Sequence, residues 1–256
     1  MGATIVSLVN QKGGVGKTTT AVSLAVALGR SGQRVLLVDL DPQANATSAL
    51  GVDGSEAAGT YDAILDETPM RECIIPVEGE HVSVVPSSSE LSGAEVELVP
   101  VMARERRLTN SLAQVRDDFD WILIDCPPSL GLLTINALTA SNAVIIPVQC
   151  EYMALEGLSR LMETLDLVKR NLNPQLHVLG VVLTMFDART RLAQQVVEEV
   201  RGHFPQTFTT IIPRSVRLSE APSHGKSIFL YDQGGRAATA YEAVASELLE
   251  RAGVAA

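Results

Sequence analysis

Short runs of aliphatic residues recur along this chain and alternate with longer stretches in which apolar residues have helical spacing. The aliphatic runs lack polar alternation, which is typical of strands buried on both faces of a parallel sheet. These runs are Thr4–Val9, Val35–Asp39, Val82–Val85, Trp121–Asp125, Ala143–Val148, Val178–Thr184 and Thr209–Ile212. The helical stretches are Thr18–Arg30, Pro100–Val115, Leu155–Asn171, Arg191–His203 and Arg236–Arg251.

This alternation predicts an α/β fold, a doubly wound and mostly parallel sheet with helices on both faces. No linker, charge block or internal repeat divides the 256 residues, so we expect a single domain over residues 1–256. The apolar runs are too short to span a membrane. The 3 cysteines include no C-x-x-C pair, which argues against a disulfide framework or a zinc site. We therefore interpret the protein as cytoplasmic.

A glycine-rich segment joins the first predicted strand to the first predicted helix, with the sequence Asn10-Gln11-Lys12-Gly13-Gly14-Val15-Gly16-Lys17-Thr18-Thr19. Small residues allow consecutive backbone N–H groups to surround phosphate oxygens, and the helix N-terminus adds partial positive charge. Lys17 can reach the β- and γ-phosphates, and the Thr18 hydroxyl can bind Mg²⁺. The segment predicts a P-loop that binds and hydrolyses ATP with Mg²⁺, using residues Lys12, Gly13, Gly14, Val15, Gly16, Lys17, Thr18 and Thr19.

This loop departs from the ordinary P-loop pattern, because Gln11 stands where the first glycine belongs and a second lysine, Lys12, follows it. The alternative interpretation is a glycine-rich turn that binds nothing. Two lysines on one short loop would then repel each other without a counter-ion, which favours the phosphate-binding interpretation.

Carboxylates end two of the predicted strands. Asp39 ends one of them and Asp41 follows two residues later, where α/β sheets place their ligands. A carboxylate there can orient the attacking water, although an aspartate before Pro42 can also be an ordinary turn residue. Asp125 ends an apolar strand in the manner of a Walker B segment, whose aspartate holds Mg²⁺, usually through a water.

Several motifs taken together resemble the ParA/Soj family of chromosome-partitioning ATPases, which belong to the deviant Walker A class of P-loop proteins. The segments that carry the resemblance are Asn10–Thr20, Leu37–Gln43, Ile124–Leu138, Pro147–Gly157, Leu183–Thr190 and Val216–Lys226. They cover nearly the whole chain. The sequence is most similar to the short, chromosomal Soj-like branch, because no helix-turn-helix extension precedes the first strand.

The resemblance implies roles that spacing alone does not give. Lys12 would reach the partner's phosphates across an ATP-dependent homodimer, and Lys12, Lys17 and Asp41 would be catalytic. Thr18 and Asp125 would hold the metal. Pro213 and Ser215 would lie near the adenine, although family members often carry Asn at the latter position. A centromere-binding ParB partner would stimulate hydrolysis.

The resemblance also implies binding of the ATP-bound dimer to double-stranded DNA without sequence preference, and hence association with the nucleoid. The net charge of −10 argues against a general DNA binder. A local basic face can nevertheless exist on an acidic protein. We assign the DNA contacts to Arg189, Arg217, Lys226 and Arg236, while scattered arginines that only solvate the surface are the alternative.

Three other functions are compatible with parts of the sequence. A MinD-type ATPase of the division site shares the deviant loop, but it ends in a basic amphipathic helix, whereas the tail from Glu247 is short and acidic. A redox ATPase similar to the nitrogenase iron protein needs cysteines at positions that this chain does not supply. A binding module with an inactive nucleotide site is the third possibility, and phosphate-release measurements distinguish it from an ATPase.

Overall fold

The computed structural model describes residues 2–55, 57–151 and 154–253, with the backbone alone described at 154–156. The quoted segment 147–157 therefore lies partly outside the described residues. The strands are β1 (Thr4–Leu8), β2 (Val35–Asp39), β3 (Ile75–Val77), β4 (Val82–Val85), β5 (Trp121–Asp125), β6 (Ala143–Gln149) and β7 (His177–Thr184). They form one sheet in the order β3-β4-β2-β5-β1-β6-β7. Every neighbouring pair is parallel except β3 and β4.

Helices follow most of the strands. They are α1 (Lys17–Arg30), α2 (Asn45–Ala49), α3 (Thr60–Ile64), α4 (Leu91–Glu97), α5 (Arg107–Ala113), α6 (Leu132–Ala140), α7 (Ala154–Asn171), α8 (Arg191–His203), α9 (Arg217–Glu220), α10 (Ile228–Tyr231) and α11 (Arg236–Arg251). Single 3₁₀ turns occur at Met70–Cys73, Arg104–Arg106 and Ala221–His224. Among the described residues, no helix combines the length and apolarity needed to cross a bilayer.

Two apolar cores lie on opposite faces of the sheet, because successive side chains of a strand point in opposite directions. Ile5 and Ile122 belong to one core, whereas their neighbours Val6 and Leu123 belong to the other. Helices α5 to α8 cover the first face, and α1, α10 and α11 cover the second. The predicted doubly wound, mostly parallel α/β fold is confirmed.

The predicted strand at residues 209–212 is wrong. The segment is irregular, and only isolated bridges occur near it, between Val181 and Thr207 and between Phe186 and Pro213. The backbone N–H groups of Thr209 and Thr210 donate to the carboxylate of Glu247 in α11, at 2.7 and 2.8 Å. A side chain remote in sequence therefore takes the donors that a strand would use for its neighbour.

The predicted helix at residues 100–115 begins later than expected, at Arg107. Ala103 has a φ of 53°, a left-handed conformation that an α-helix does not contain. The residues before Arg107 therefore form turns, and only the second half of the apolar pattern is α-helical.

We expect Glu247→Ala to destabilise the fold by about 1.5–3 kcal/mol, because it removes charge-assisted hydrogen bonds to two backbone donors and to the Thr210 hydroxyl. Urea unfolding at neutral pH measures this change. Glu250→Ala is the matched control, since Glu250 is exposed on the same helix, and its effect should stay within about 0.5 kcal/mol. Equal effects of the two variants would contradict the assigned role of Glu247.

Candidate functional site

The loop between β1 and α1 has an unusual backbone. Gly14 and Gly16 have φ values of 73° and 88°, in the left-handed region that glycine adopts without strain. A Cβ built at Gly13 or Gly14 would meet nothing within 4 Å, so the space above the loop is open. Gly16 directly precedes α1, and the first residues of that helix line this space. The first N–H groups of a helix have no partner within the helix. The arrangement suits an anion.

Two side chains, one at the start of the loop and one at the end of β7, hold the loop in this shape. The Asn10 amide donates to the Pro147 carbonyl in β6 at 2.7 Å and accepts from the Lys12 backbone N–H at 2.9 Å. The Thr184 hydroxyl at the end of β7 donates to the Val15 carbonyl at 2.8 Å. The loop is thus preorganised. The sequence interpretation missed both anchors, although a polar Asn10 at a strand end was an available signal.

The two lysines of the loop differ in environment. Lys17 begins α1 and is only 7% exposed. Burial lowers the pKa of its ammonium group, and the negative charge of Asp125 partly opposes that shift. Lys12 is exposed, and its side chain does not line the cavity above the loop. In a single chain the loop therefore brings one lysine to the site and leaves the other free to reach outward.

Two carboxylates meet at the carboxyl ends of adjacent strands, because Asp39 of β2 pairs in register with Asp125 of β5. Asp39 accepts hydrogen bonds from the backbone N–H and the hydroxyl of Thr47, at 2.8 and 2.7 Å. Burial raises the pKa of Asp39 to about 6, against the lowering effect of these donors. Asp39 is therefore satisfied by protein groups and holds α2 in place.

Asp125 is completely buried, and neither of its carboxylate oxygens has a hydrogen-bond partner among the described residues. Burial, and next the charge of Asp39, raise the pKa of Asp125 well above its ordinary value, while the nearby Thr18 hydroxyl and Lys17 ammonium lower it by less. A buried carboxylate without a partner costs folding free energy. Asp125 therefore offers two carboxyl oxygens, beside the Thr18 hydroxyl and the Lys17 ammonium, that can accept a cation.

Asp41 lies in the loop after β2 and is 7% exposed. Its backbone N–H donates to Asp39 at 3.1 Å, and its carboxylate accepts from the Gln43 backbone N–H at 3.0 Å. Unlike Asp39 and Asp125, it lines the cavity above the phosphate loop. The structure thus places one carboxylate at the cavity surface and two beneath it.

A cavity of about 630 Å³ lies over the loop. Its lining includes the predicted residues Gly13, Gly14, Gly16, Lys17, Thr18, Thr19, Asp41 and Lys226. A second cavity of about 310 Å³ shares Gly16, Thr19 and Met185 with the first and is also lined by Pro213 and Ser215. The two adjoining cavities have the glycine-rich loop at one end and Pro213 and Ser215 at the other, which suits a nucleotide. Val15 contributes to this site only as a buried part of the loop.

The donor set at the loop also fits Mg²⁺, which prefers a few protein oxygens and completes its shell with water and phosphate. Thr18 supplies a hydroxyl at the cavity surface, and Asp125 supplies the partnerless carboxylate. Among the described residues, no group of three or more His, Cys, Asp or Glu side chains could hold a metal by itself. An ion at this site would therefore need the oxygens of a bound phosphate.

The four residues predicted to bind DNA lie on four separate parts of the chain. Arg189 is 87% exposed in the loop after β7 and pairs with Asp187 at 2.6 Å. Arg217 starts α9 and pairs with Glu220 at 3.0 Å. Lys226 lies at the wall of the main cavity, and Arg236 begins α11 beside a shallow groove. All four are exposed; Lys226 lines the main cavity, whereas Arg217 lies directly before the lining residues Leu218 and Ser219.

Comparison with known proteins places these features in a family. Residues 3–178 match the family model described as "AAA domain". The chromosome partitioning protein ParA of Myxococcus xanthus is 54% identical over 249 residues, which cover 96% of this chain and 88% of that protein. The sporulation initiation inhibitor protein Soj of Bacillus subtilis is 54% identical over 246 residues, covering 95% and 97% of the two chains.

A similar solved structure is that of cobyrinic acid a,c-diamide synthase from Mycobacterium smegmatis with a bound ATP analog and magnesium. Its TM-score to this chain is 0.87, with 35% identity, and the match covers 98% of this chain and 96% of that chain.

Proposed function

Because this chain belongs to the ParA/Soj family of chromosome-partitioning ATPases, we propose that its cavity binds ATP with Mg²⁺ and that the bound nucleotide controls association with DNA. The single observation that carries this proposal is that the phosphate loop is preformed while Lys12, which belongs to the same loop, is exposed. The loop binds phosphate through its own backbone and Lys17. Lys12 is then available to a second copy of the chain.

The chain's own residues account for nucleotide binding. Backbone N–H groups of the loop and the buried Lys17 bind the phosphates, and the small cavity beside Pro213 and Ser215 accepts the adenine. Thr18 and Asp125 would hold Mg²⁺, which neutralises charge on the transferred phosphoryl group. Asp41, at the cavity surface, orients the attacking water. Residues 1–256 act as a single ATPase domain.

Dimerisation reconciles an acidic chain with DNA binding. In an ATP-dependent homodimer, Lys12 of each protomer contacts the partner's phosphates and completes both sites. Arg189, Arg217, Lys226 and Arg236 then occur in two copies, and their combined positive charge binds double-stranded DNA of the nucleoid without reading its sequence. A ParB-type protein stimulates hydrolysis, which separates the dimer and releases the DNA.

The apolar face of α11 packs against the rest of the protein. Glu247 is tied to Thr209 and Thr210, and Leu248 and Leu249 are buried in the core. An amphipathic membrane anchor needs an apolar face that is free to enter the bilayer. Over the length of α11, from Arg236 to Arg251, the larger apolar side chains of this helix are buried against the protein.

A DNA mobility assay with ATP, ADP or no nucleotide tests the proposal. We expect a shift only with ATP, with an affinity that falls steeply as salt increases, because phosphate contacts release counterions. Phosphate release should rise when DNA and ParB are both present. Equal shifts with ATP and ADP would contradict control by the nucleotide, and binding to liposomes equal to that with DNA would favour the MinD-type alternative.

We expect Asp125→Asn to separate stability from activity. The substitution removes a buried carboxyl group whose oxygens accept no hydrogen bond among the described residues, so the unfolding temperature should stay the same or rise. Hydrolysis should fall by about 10–100-fold, the usual effect of losing an outer-shell group at a metal site. Thermal unfolding and phosphate release at varied Mg²⁺ measure the two effects.

Asp118→Asn is the control for this experiment, because Asp118 forms an exposed ion pair with Arg71 at 2.6 Å and should change neither quantity. A large loss of stability in Asp125→Asn, with hydrolysis intact, would show that the Asp125 carboxylate is structural.

A further inference from the structure

Glu80 carries a buried carboxyl group that has no part in the nucleotide contacts described so far. It lies in the turn between β3 and β4 and is 2% exposed. It accepts two hydrogen bonds from Ser227, one from the backbone N–H at 2.8 Å and one from the hydroxyl at 2.6 Å. The Ser227 hydroxyl in turn accepts from the Phe229 backbone N–H at 3.2 Å. Ser227 thereby caps the N-terminus of α10. Glu80 therefore fixes the beginning of that helix.

Ser227 belongs to residues 216–231, which we call the C-terminal wall because several of its residues line the main cavity. The wall is cross-linked within itself. Glu220 accepts from the Tyr231 hydroxyl at 3.1 Å and pairs with Arg217 at 3.0 Å. The His224 ring stacks on Tyr231 with centroids 5.1 Å apart. These contacts make the wall one unit that carries both Arg217 and Lys226.

The wall also touches the other side of the cavity. Gly225 packs directly on Gly51 at the end of α2, where a Cβ on Gly51 would lie 2.9 Å from the Gly225 carbonyl oxygen. Helix α2 follows the Asp41 loop and is held by the bond between Thr47 and Asp39. Glycine backbones in direct contact leave no side chain between the two elements to absorb a displacement. The end of α2 and the wall are therefore in direct backbone contact.

We propose that Glu80 is a positioning residue for the nucleotide site, and that by holding Ser227 it fixes the C-terminal wall against the bound nucleotide and sets the positions of Arg217 and Lys226 for DNA. The inference rests on the proposed function of the cavity. The physical reason is that the free energy of the protein rises when a buried carboxyl group loses its hydrogen-bond donors. The contact between Glu80 and Ser227 therefore has one favourable arrangement, and partly broken arrangements are rarely populated. Nucleotide binding and DNA contact then share one rigid element.

Glu80→Gln tests the proposal, because glutamine keeps the size of the side chain but can accept only part of what Ser227 donates. Glu78→Gln is the matched control, since Glu78 is exposed in the same turn. We expect the KM for ATP to rise by about tenfold in Glu80→Gln, as for the loss of one charge-assisted hydrogen bond. The kcat at saturating ATP should stay within about twofold, since Asp41 and Lys17 are untouched.

Binding to DNA at saturating ATP provides a second readout, and here we expect the dissociation constant of Glu80→Gln to rise by about tenfold, with no change for Glu78→Gln. A merely structural role would lower the unfolding temperature and leave both the KM and the DNA affinity unchanged, which would overturn the proposal. If Glu80→Gln does not fold, Ser227→Ala is measured instead. It removes only the hydroxyl, and the same rise in KM at constant kcat is expected.

Failure of the proposed function and failure of this inference give different results. If the wild-type protein neither binds nor hydrolyses ATP, the proposed function is wrong and the role of Glu80 falls with it. If the wild-type protein is active and Glu80→Gln and Ser227→Ala match the Glu78→Gln control in KM and in DNA affinity, only the inference about Glu80 is wrong.

Discussion

Replacing Lys12 with alanine is expected to abolish ATP-dependent DNA binding while leaving ATP binding by the single chain intact. The structure keeps the phosphate loop in shape through Asn10 and Thr184, neither of which depends on the Lys12 side chain. In the proposed dimer, however, Lys12 would meet the partner's phosphates away from solvent. Loss of one member of such a charge pair costs about 2–5 kcal/mol, which corresponds to a loss of at least about 30-fold in dimer affinity.

Three measurements on Lys12→Ala separate these effects: binding of a fluorescent ATP analogue, mass by light scattering with ATP, and DNA mobility shift. Lys169→Ala is the control, because Lys169 is exposed near the end of α7 and its substitution removes the same charge. Unchanged dimerisation and DNA binding in Lys12→Ala would show that the second lysine acts within its own chain, and the dimer model would have to be abandoned.

Replacing Asp41 with alanine is expected to have the opposite effect on DNA, prolonging binding instead of preventing it. Asp41 is the carboxylate at the cavity surface, and its backbone N–H is held by Asp39, so its position is fixed before any ligand enters. A positioned acid or base contributes about 10²–10⁴-fold to a rate. Phosphate release should fall by that factor, and the ATP-bound dimer should remain on DNA for a correspondingly longer time.

Phosphate release and the dissociation rate from immobilised DNA should change together in Asp41→Ala. Asp53→Ala serves as the control, because the Asp53 carboxylate accepts hydrogen bonds from Ser55 in a loop away from the cavity lining. Normal turnover in Asp41→Ala would assign the positioning of water to another group. Slow hydrolysis with fast release from DNA would break the proposed link between the two.

Local patterns predicted most of the architecture. The bounds of β2, β4 and β5 and those of α8 and α11 agree with the sequence interpretation, and β1 differs by one residue. These elements have strong periodicity and are either fully buried or amphipathic, so neighbouring residues specify them. The strand at 209–212 failed for the opposite reason, because Glu247, in a different part of the chain, takes its backbone donors. The short strand β3 and helices α2, α3, α4, α6, α9 and α10 were not predicted.

The sequence by itself determined the chemistry of the phosphate loop, since glycine conformations and the spacing of Lys17 and Thr18 are properties of a few adjacent residues. It also brought out the extra lysine at Lys12. The tertiary structure alone decided that the buried Asp125 carboxyl accepts no hydrogen bond among the described residues, that Asp39 accepts hydrogen bonds from Thr47, and that Glu80 holds Ser227. Each of these three findings depends on burial and on contacts between residues that are distant in sequence. Such burial and such contacts arise only when the strands and helices pack together.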